Sequence, residues 1–331
     1  MPKFKVMTWN VENLFQLGAV GGPKTEAEYR QKLSSLAEVI LNLAPDVLAL
    51  QEIGSAEALS DLGELLAGKY PHRQLSANPD GRGIRVGFLS TLKIEEREEI
   101  IDFPAVGLPS VPGIDARANL DSVTRLSRGA LRILVKPATN LPIHLITAHL
   151  KSKLLSFPTA SGSSRFNPKD ENERARVAGI ALLKRTAEAV ALRVMANERL
   201  QGNRQEALVL LGDLNDVTDA ATTQILNGPG GSEVGTAGFD RPDEGDDTRL
   251  FNLASLIPLE RRFSRVNQGN KELIDHILVS QELLPGKPRR LPVVDSHIDA
   301  FGTLPSVGNN PAARSGEPAS DHAPITAAFE F

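Results

Sequence analysis

Five places along the chain set chemically competent side chains at the end of an apolar run, where a strand would hold them rigidly at the rim of a sheet. Trp9-Asn10-Val11-Glu12-Asn13 ends one run in amides and a carboxylate, and Leu50-Gln51-Glu52 ends another in a carboxylate. A carboxylate in so apolar a setting needs a partner, either a metal ion or an Arg. Thr147-Ala148-His149, with Lys151 and Lys153 just beyond, combines an imidazole with two ammonium groups suited to an oxyanion. In Leu211-Gly212-Asp213-Leu214-Asn215 the glycine lets the backbone turn closely, and Asp213 and Asn215 share one side if the chain stays extended. The fifth place is a pair of Asp-His steps, Asp275-His276 and Asp321-His322. Taken singly, the first, third and fifth places read as a turn, a structural His with solvated lysines and chance dipeptides; the Glu52 partner is evenly a metal or an Arg, and the Asp213 place is the sharpest. Together they supply carboxylates for a metal, imidazoles for proton transfer, and amides and lysines for phosphate oxygens, which is what metal-assisted phosphodiester hydrolysis requires.

The elements that must position them follow from hydrophobic period. Apolar runs bounded by turn signals predict strands over 4–9, 47–50, 85–89, 130–135, 143–149, 207–211, 274–279 and 324–329. Apolar residues three and four apart predict helices over 26–43 and 172–199, with a weaker one over 55–66; Pro45 stops the first. Many strands with a few long helices fit two mixed β-sheets packed face to face and flanked by helices, a layered α/β sandwich. The segments 102–126, 154–170 and 295–319 are rich in Pro, Gly, Ser or Asn and read as long loops flanking the site residues. Because the motifs run from residue 10 to residue 322, residues 1–331 are read as a single domain.

Bulk composition limits the partners. The 331 residues carry a formal charge of −4, so no whole-protein basic field draws in a polyanion; a local patch or bound cations must do so. Absence of cysteine removes disulfides, thiolate nucleophiles and Cys-rich zinc, leaving oxygen and imidazole donors. Hard oxygen sites suit Mg²⁺ or Mn²⁺, with Ca²⁺ a further candidate. No apolar stretch reaches signal-peptide or membrane-span length, so a cytoplasmic location is expected; a secreted one would need a leader ahead of residue 1. Oligomeric state leaves no mark in the sequence.

The ordered motifs Trp-Asn-Val-Glu-Asn, Leu-Gln-Glu, Ser-Arg-Gly, Thr-Ala-His-Leu, Gly-Asp-Leu-Asn-Asp, Ile-Asp-His-Ile and Ser-Asp-His resemble those of the endonuclease/exonuclease/phosphatase superfamily, over almost the whole chain. The resemblance implies a four-layered α/β sandwich (deoxyribonuclease I-like) with the site at one edge of the two sheets. It implies a metal near Asn10, Glu12 and Glu52, with Asp213, Asn215 and Asp321 completing its surroundings. By the same resemblance Asp275 orients His322 beside the scissile phosphate, His149 lies on the other side, and Arg128 contacts phosphate, with Lys151 adding a cation. Water attacks phosphorus in line, activated by His322 or by Asp213. One departure concerns His149: the family pattern gives it a carboxylate partner on an earlier strand, which residues 80–86 do not evidently supply.

Superfamily members act on DNA, RNA, abasic sites, inositol phosphates and sphingomyelin, so the fold cannot name the substrate. Inositol phosphatases carry a Trp-Cys-Asp-Arg signature where Leu273-Ile274-Asp275-His276 stands, and abasic endonucleases a Lys where Gly54 stands. The wording is closest to bacterial nucleases, and an endonuclease on DNA, with RNA second, is the first expectation. A phospholipid or small phosphodiester or phosphomonoester hydrolase is the alternative, motivated by Phe103, Val106, Leu108 and Val111 in 102–126. An inactive binding module on the same fold is the third; retention of every acidic and His position weighs against it.

Overall fold

The protein is described by a computed structural model covering residues 3–105, 108, 111–114, 120–137, 141–159, 164–201, 207–227, 234, 248–284, 293–298 and 304–330. Two six-stranded sheets carry the architecture. The first has the order β11-β12-β1-β2-β4-β3, in which β1 is Lys3–Leu14, β2 Val47–Ile53, β3 His72–Leu75, β4 Arg85–Ser90, β11 Val293–Ile298 and β12 Ile325–Glu330. The second has the order β9-β10-β8-β7-β6-β5, in which β5 is Ile94–Asp102, β6 Arg125–Val135, β7 Ile143–His149, β8 Ala207–Asp213, β9 Leu250–Asn252 and β10 Asp275–Ser280.

Period-2 alternation sorts the side chains into layers. In β2, Val47 and Ala49 join Val209 and Leu211 of β8 in a core between the sheets, while Leu48 and Leu50 face outward. That outer face is covered by α1 (Glu26–Leu43) and α2 (Ala56–Leu65), which bury Leu33, Leu36 and Ile40 and Leu59 and Leu62 at three- and four-residue spacing. On the second sheet, Leu208 and Leu210 of β8 meet Ala189, Leu192 and Ala196 of α3 (Glu171–Leu200). The result is helix, sheet, sheet, helix, the expected α/β sandwich, and strands buried on both faces read as continuous apolar runs. Helix α1 begins at a capping box formed by Thr25 and Glu28 and ends at Ala44 in the left-handed region, just before Pro45.

Two sequence expectations need correction. The strand β11 lies partly within 295–319, where a loop is expected, because its Val-Val-Asp-Ser-His-Ile pattern has too few apolar residues to announce a strand. The segment 102–126 is not all loop either: β5 ends at Asp102, β6 begins at Arg125, and a short hairpin pairs Val111–Ile114 with Leu120–Val123. Residues 106, 107, 109, 110 and 115–119 of that segment lie outside the described residues. A short two-residue pairing, Phe157–Pro158 with Ser164–Arg165, punctuates 154–170.

Candidate active site

Strand direction gathers the site. β1 and β2 run parallel, as do β7 and β8, so Asn10, Glu52, His149 and Asp213 all come from the same ends of their strands. β10 and β12 run antiparallel to β8 and β1, which brings the start of each, with Asp275 and His322, to the same rim. Register aligns Asp213 with both His149 and Asp275. Beneath the rim, Gln51 bridges the two sheets by donating to Thr8 at 3.1 Å and to Thr147 at 3.0 Å, a buried polar tie that fixes their separation.

Asp213 sits at the centre. Its Oδ2 accepts from Asn10 Nδ2 at 2.9 Å and lies 3.3 Å from His149 Nε2 and 4.0 Å from His322 Nε2, while Oδ1 accepts from the Asn215 backbone N–H at 3.0 Å. Asn10 also reaches Glu52 Oε1 at 3.4 Å, and Glu52 Oε2 accepts from the Asn13 backbone at 3.0 Å. Asn215 donates through Nδ2 to the Leu150 carbonyl at 3.0 Å. His322 Nδ1 and Asp275 Oδ2 are 2.7 Å apart; that oxygen also accepts from Ser264 Oγ at 2.6 Å, and Asp275 Oδ1 is buried with no hydrogen-bond partner. His149 Nδ1 is likewise buried and unpartnered. Asp80 pairs instead with Arg128, at 3.0 Å, so it is not a partner for His149.

Several of the sequence-derived residues are engaged within the protein. Both oxygens of Glu12 are gripped by Arg314, at 2.6 and 2.8 Å, and one of them also accepts from the Asp321 backbone at 2.9 Å. Arg128, besides its pair with Asp80, donates to the Leu150 carbonyl at 3.1 Å. Lys151 Nζ reaches the carbonyls of Ser152 and Leu154, and its backbone N–H donates to Glu188. Asp321 pairs with Arg265 at 3.2 Å and lies 3.9 Å from His322 Nε2. Sequence reasoning missed Ser264, Arg265, Arg314, Glu188 and Arg82, which donates to Asn13 Oδ1 at 2.6 Å. None follows a patterned apolar run, and apart from Ser264, eleven residues before Asp275, their partners lie far away in sequence, so nothing local marked them.

Backbone strain concentrates here. Glu12, Asn13, Glu52 and Asn215 all have positive φ, 49°, 55°, 67° and 54°, which is uncommon for residues with a side chain and costly for Glu. Gly212 has φ 153°, and a Cβ on it would lie 2.0 Å from the Ala148 carbonyl oxygen, so only glycine lets β8 approach β7 at the point where Asp213 emerges.

Electrostatics follow from crowding acids and imidazoles in a buried space. Burial, then the neighbouring Asp275 charge, pushes the Asp213 carboxyl up to about 7, against the pull of His322 and Asn10. Burial disfavours a charged His322, but Asp275, Asp321 and Asp213 overcome it and lift the imidazole to about 10. Burial, helped by the positive Arg128, holds His149 well below the usual histidine range, so it is neutral. Burial also brings Lys151 down to about 8.

The donor set fits a hard divalent cation. Asp213, Asp275 and His322 offer ligand atoms all within 4.8 Å of one another, and Asp213 is shared with the oxygen cluster of Asn10 and Glu52. Asp275 Oδ1, buried without a hydrogen-bond partner among the described residues, is an oxygen that a cation could take up, and burial beside Asp275 makes Asp213 a carboxylate that a cation would favour in its charged form.

A two-sheet α/β sandwich with an Asp- and His-rich site at one rim defines a class, and the comparisons place the chain within it. The family described as Endonuclease/Exonuclease/phosphatase matches residues 7–322, and the chain belongs to that family. Among solved structures, the human Nocturnin catalytic domain with bound sulfate superposes with a TM-score of 0.56 at 15% identity, covering 100% of this chain and 95% of that one. TDP2 from Danio rerio complexed with a single-strand DNA product gives 0.55 at 16% identity, with 100% of each chain covered. An endonuclease/exonuclease/phosphatase from Beutenbergia cavernae gives 0.58 at 16%, covering 100% of this chain and 72% of that one. These likenesses show the fold. A search of curated proteins finds no match.

Proposed function

We propose that the protein is a Mg²⁺- or Mn²⁺-dependent phosphodiesterase, an endonuclease whose substrate is nucleic acid, DNA ahead of RNA. The observation that carries this reading is the Asp213 carboxylate standing between two buried imidazoles, 3.3 Å from His149 and 4.0 Å from His322, at the rim where Glu52 is held by Asn10 and Asn13. Residues 1–331 act as one catalytic unit in this account, since both ends of the chain build the rim.

Glu52, Asp213 and Asp321, with Asn10 and Asn215 beside them, would hold the cation, which when bound neutralises phosphate charge and stabilises the leaving oxygen. Asp213 Oδ2 is placed to accept a proton from the attacking water. His322, held by Asp275, keeps Nε2 turned toward the Asp213 side, where it can hydrogen-bond a phosphoryl oxygen. His149 and Asn215 approach from the second sheet. Glu12 takes a positioning role: committed to Arg314 and to the Asp321 backbone, it anchors the segment that carries Asp321 and His322. Arg128 and Lys151 brace the loop after β7 through its carbonyls, and either would have to exchange those contacts to meet phosphate.

Burial of part of the apolar set of 102–126 favours the nucleic-acid reading over the lipid one. Of the four residues that motivate the latter, Phe103 packs toward the α3 side of the core and Val111 is buried; Leu108 is half-buried and Val106 lies outside the described residues. No described helix is long and apolar enough to cross a membrane. The testing experiment is a substrate panel, with plasmid DNA, single-stranded oligonucleotides, RNA and a phospholipid, each with Mg²⁺, Mn²⁺ or EDTA. Metal-dependent cleavage of nucleic acid is expected. Hydrolysis of the lipid alone would overturn the nuclease assignment.

A further inference from the structure

A cavity of about 270 Å³ opens beside the site, between the loop after β7 and the hairpin that pairs Arg265–Asn267 with Asn270–Glu272. Two of its walls belong to the rim already described: Asn215, whose backbone N–H bonds Asp213, and Arg265, which pairs with Asp321. The cavity therefore adjoins the rim that carries Asp213 and Asp321.

The lining is two-sided. Phe157, Phe166, Leu154 and Pro168 make an apolar flank. Phe157 is fully buried with the Arg165 guanidinium 5.2 Å from its ring centre, so Phe166, half-buried, is the ring with a face to offer. The polar flank carries Lys153, Arg174 and Arg265 against the single acid Glu272. Lys153 is 42% exposed at its side chain and lies 3.1 Å from Asp216 and 3.7 Å from Glu272; Arg174 pairs with Glu171 across one helical turn in open solvent. The Arg174 pair, exposed at both ends, holds weakly, and Lys153, exposed at its own end, can reach a phosphate while it stays near Asp216. The cavity falls just under the roughly 300–1,000 Å³ of small-molecule sites, which suits one flat heterocycle and its phosphate and not an acyl chain.

We propose that this cavity is a nucleotide subsite, seating the base of one unpaired nucleotide against Phe166 beside the scissile phosphate, with Lys153 meeting the adjoining phosphate. The inference rests on the phosphodiesterase reading above and adds a substrate form to it. A base stacked within a duplex cannot enter, so the subsite selects single-stranded or locally opened nucleic acid. The net charge of −4 supplies no whole-protein basic field that would favour a duplex over a single strand.

The test uses the full chain carrying Asp213→Asn to prevent turnover, with Mg²⁺ present, and fluorescence anisotropy of a labelled single strand. The competing ligands are its duplex, a strand of the same length lacking all bases, and a free nucleoside monophosphate. The expected order is single strand tightest, with base removal costing about tenfold, because stacking is worth about 1–3 kcal/mol per base. Phe166→Ala should lose that difference and Phe166→Trp should keep it, with thermal midpoints unchanged. Lys153→Ala should flatten the salt dependence by about one ion. Competition by the monophosphate at strand-like affinity would support the same subsite with free nucleotides as its source. Equal binding of the base-free strand, or a Phe166→Ala affinity within twofold of its parent, overturns the subsite while leaving phosphodiesterase activity untouched. Failure of the wild type to cleave any nucleic acid, with a small diester still hydrolysed, overturns the nuclease reading and the subsite together.

Discussion

Replacing Asp275 by Asn removes one charge from the site and almost no volume. Asp275 Oδ2 receives His322 Nδ1 at 2.7 Å and Ser264 Oγ at 2.6 Å, and its charge is the foremost of three that raise His322 to about 10. An Asn can still accept one hydrogen bond but no longer favours the imidazolium, so the His322 pKa should fall by a unit or more, at about 1.4 kcal/mol per unit. A carboxylate-imidazole pair in another hydrolase loses about ten-thousand-fold in kcat on the same change, through a wrong tautomer. Here the expected loss is about a hundred- to ten-thousand-fold in kcat with KM little altered, because the imidazole is misoriented more than the substrate is released. The assay is hydrolysis of bis(p-nitrophenyl) phosphate with Mn²⁺ from pH 5 to pH 10, with the thermal midpoint measured alongside. The descending limb of the pH profile should also move toward lower pH. A kcat within threefold of wild type, with an unmoved limb, would refute the idea that Asp275 works through His322.

Gly212→Ala should lower stability by at least about 1 kcal/mol and reduce activity, since its Cβ would lie 2.0 Å from the Ala148 oxygen; a thermal midpoint equal to wild type would contradict this. Arg314→Ala strands the Glu12 carboxylate and should cost about 2–3 kcal/mol in denaturant unfolding, with Arg314→Lys recovering only part because it cannot form the forked contact. Metal affinity by calorimetry should rise from pH 6 to pH 8, because the Asp213 carboxyl, raised to about 7, must lose its proton to bind a cation; a flat profile would place the cation elsewhere. Without metal, the His322 contribution to stability is complete below the unfolded histidine value near 6.5 and is lost as pH rises toward about 10. The thermal midpoint should therefore decline over that window in EDTA, less steeply in Asp275→Asn, and an equal decline in both would count against the pair.

What the sequence discloses about this fold divides along a physical line. The eight expected strands are the eight interior strands of the two sheets, and the helices over 26–43 and 172–199 match α1 and α3 within a residue. Within the two six-stranded sheets, the four strands that escape notice, β3, β5, β9 and β11, are the four edges. An interior strand is buried on both faces and reads as an apolar run, whereas an edge strand is short or charged; β5, Ile-Glu-Glu-Arg-Glu-Glu-Ile-Ile-Asp, has no apolar alternation to detect. The site divides in the same way. Asp213, Asp275, His149 and Asn10 stand on interior strands, where a polar residue interrupting an apolar run is conspicuous. Arg314 ends a single 3-10 turn, Arg265 stands in a short hairpin and Ser264 just before it, and only the closed fold brings Arg314 to Glu12, 302 residues away. The same closure pairs Glu12, a metal candidate in the sequence, with Arg314.

Dialysis of the wild type and of Asp213→Ala against EDTA, followed by stepwise return of Mg²⁺ or Mn²⁺ in the bis(p-nitrophenyl) phosphate assay, tests the central claim most directly. No hydrolysis without metal is expected, with saturable recovery in the wild type and a loss of at least about a thousand-fold in a variant that remains folded. Full activity in EDTA, or an Asp213→Ala variant that hydrolyses the diester at the wild-type rate, would contradict it.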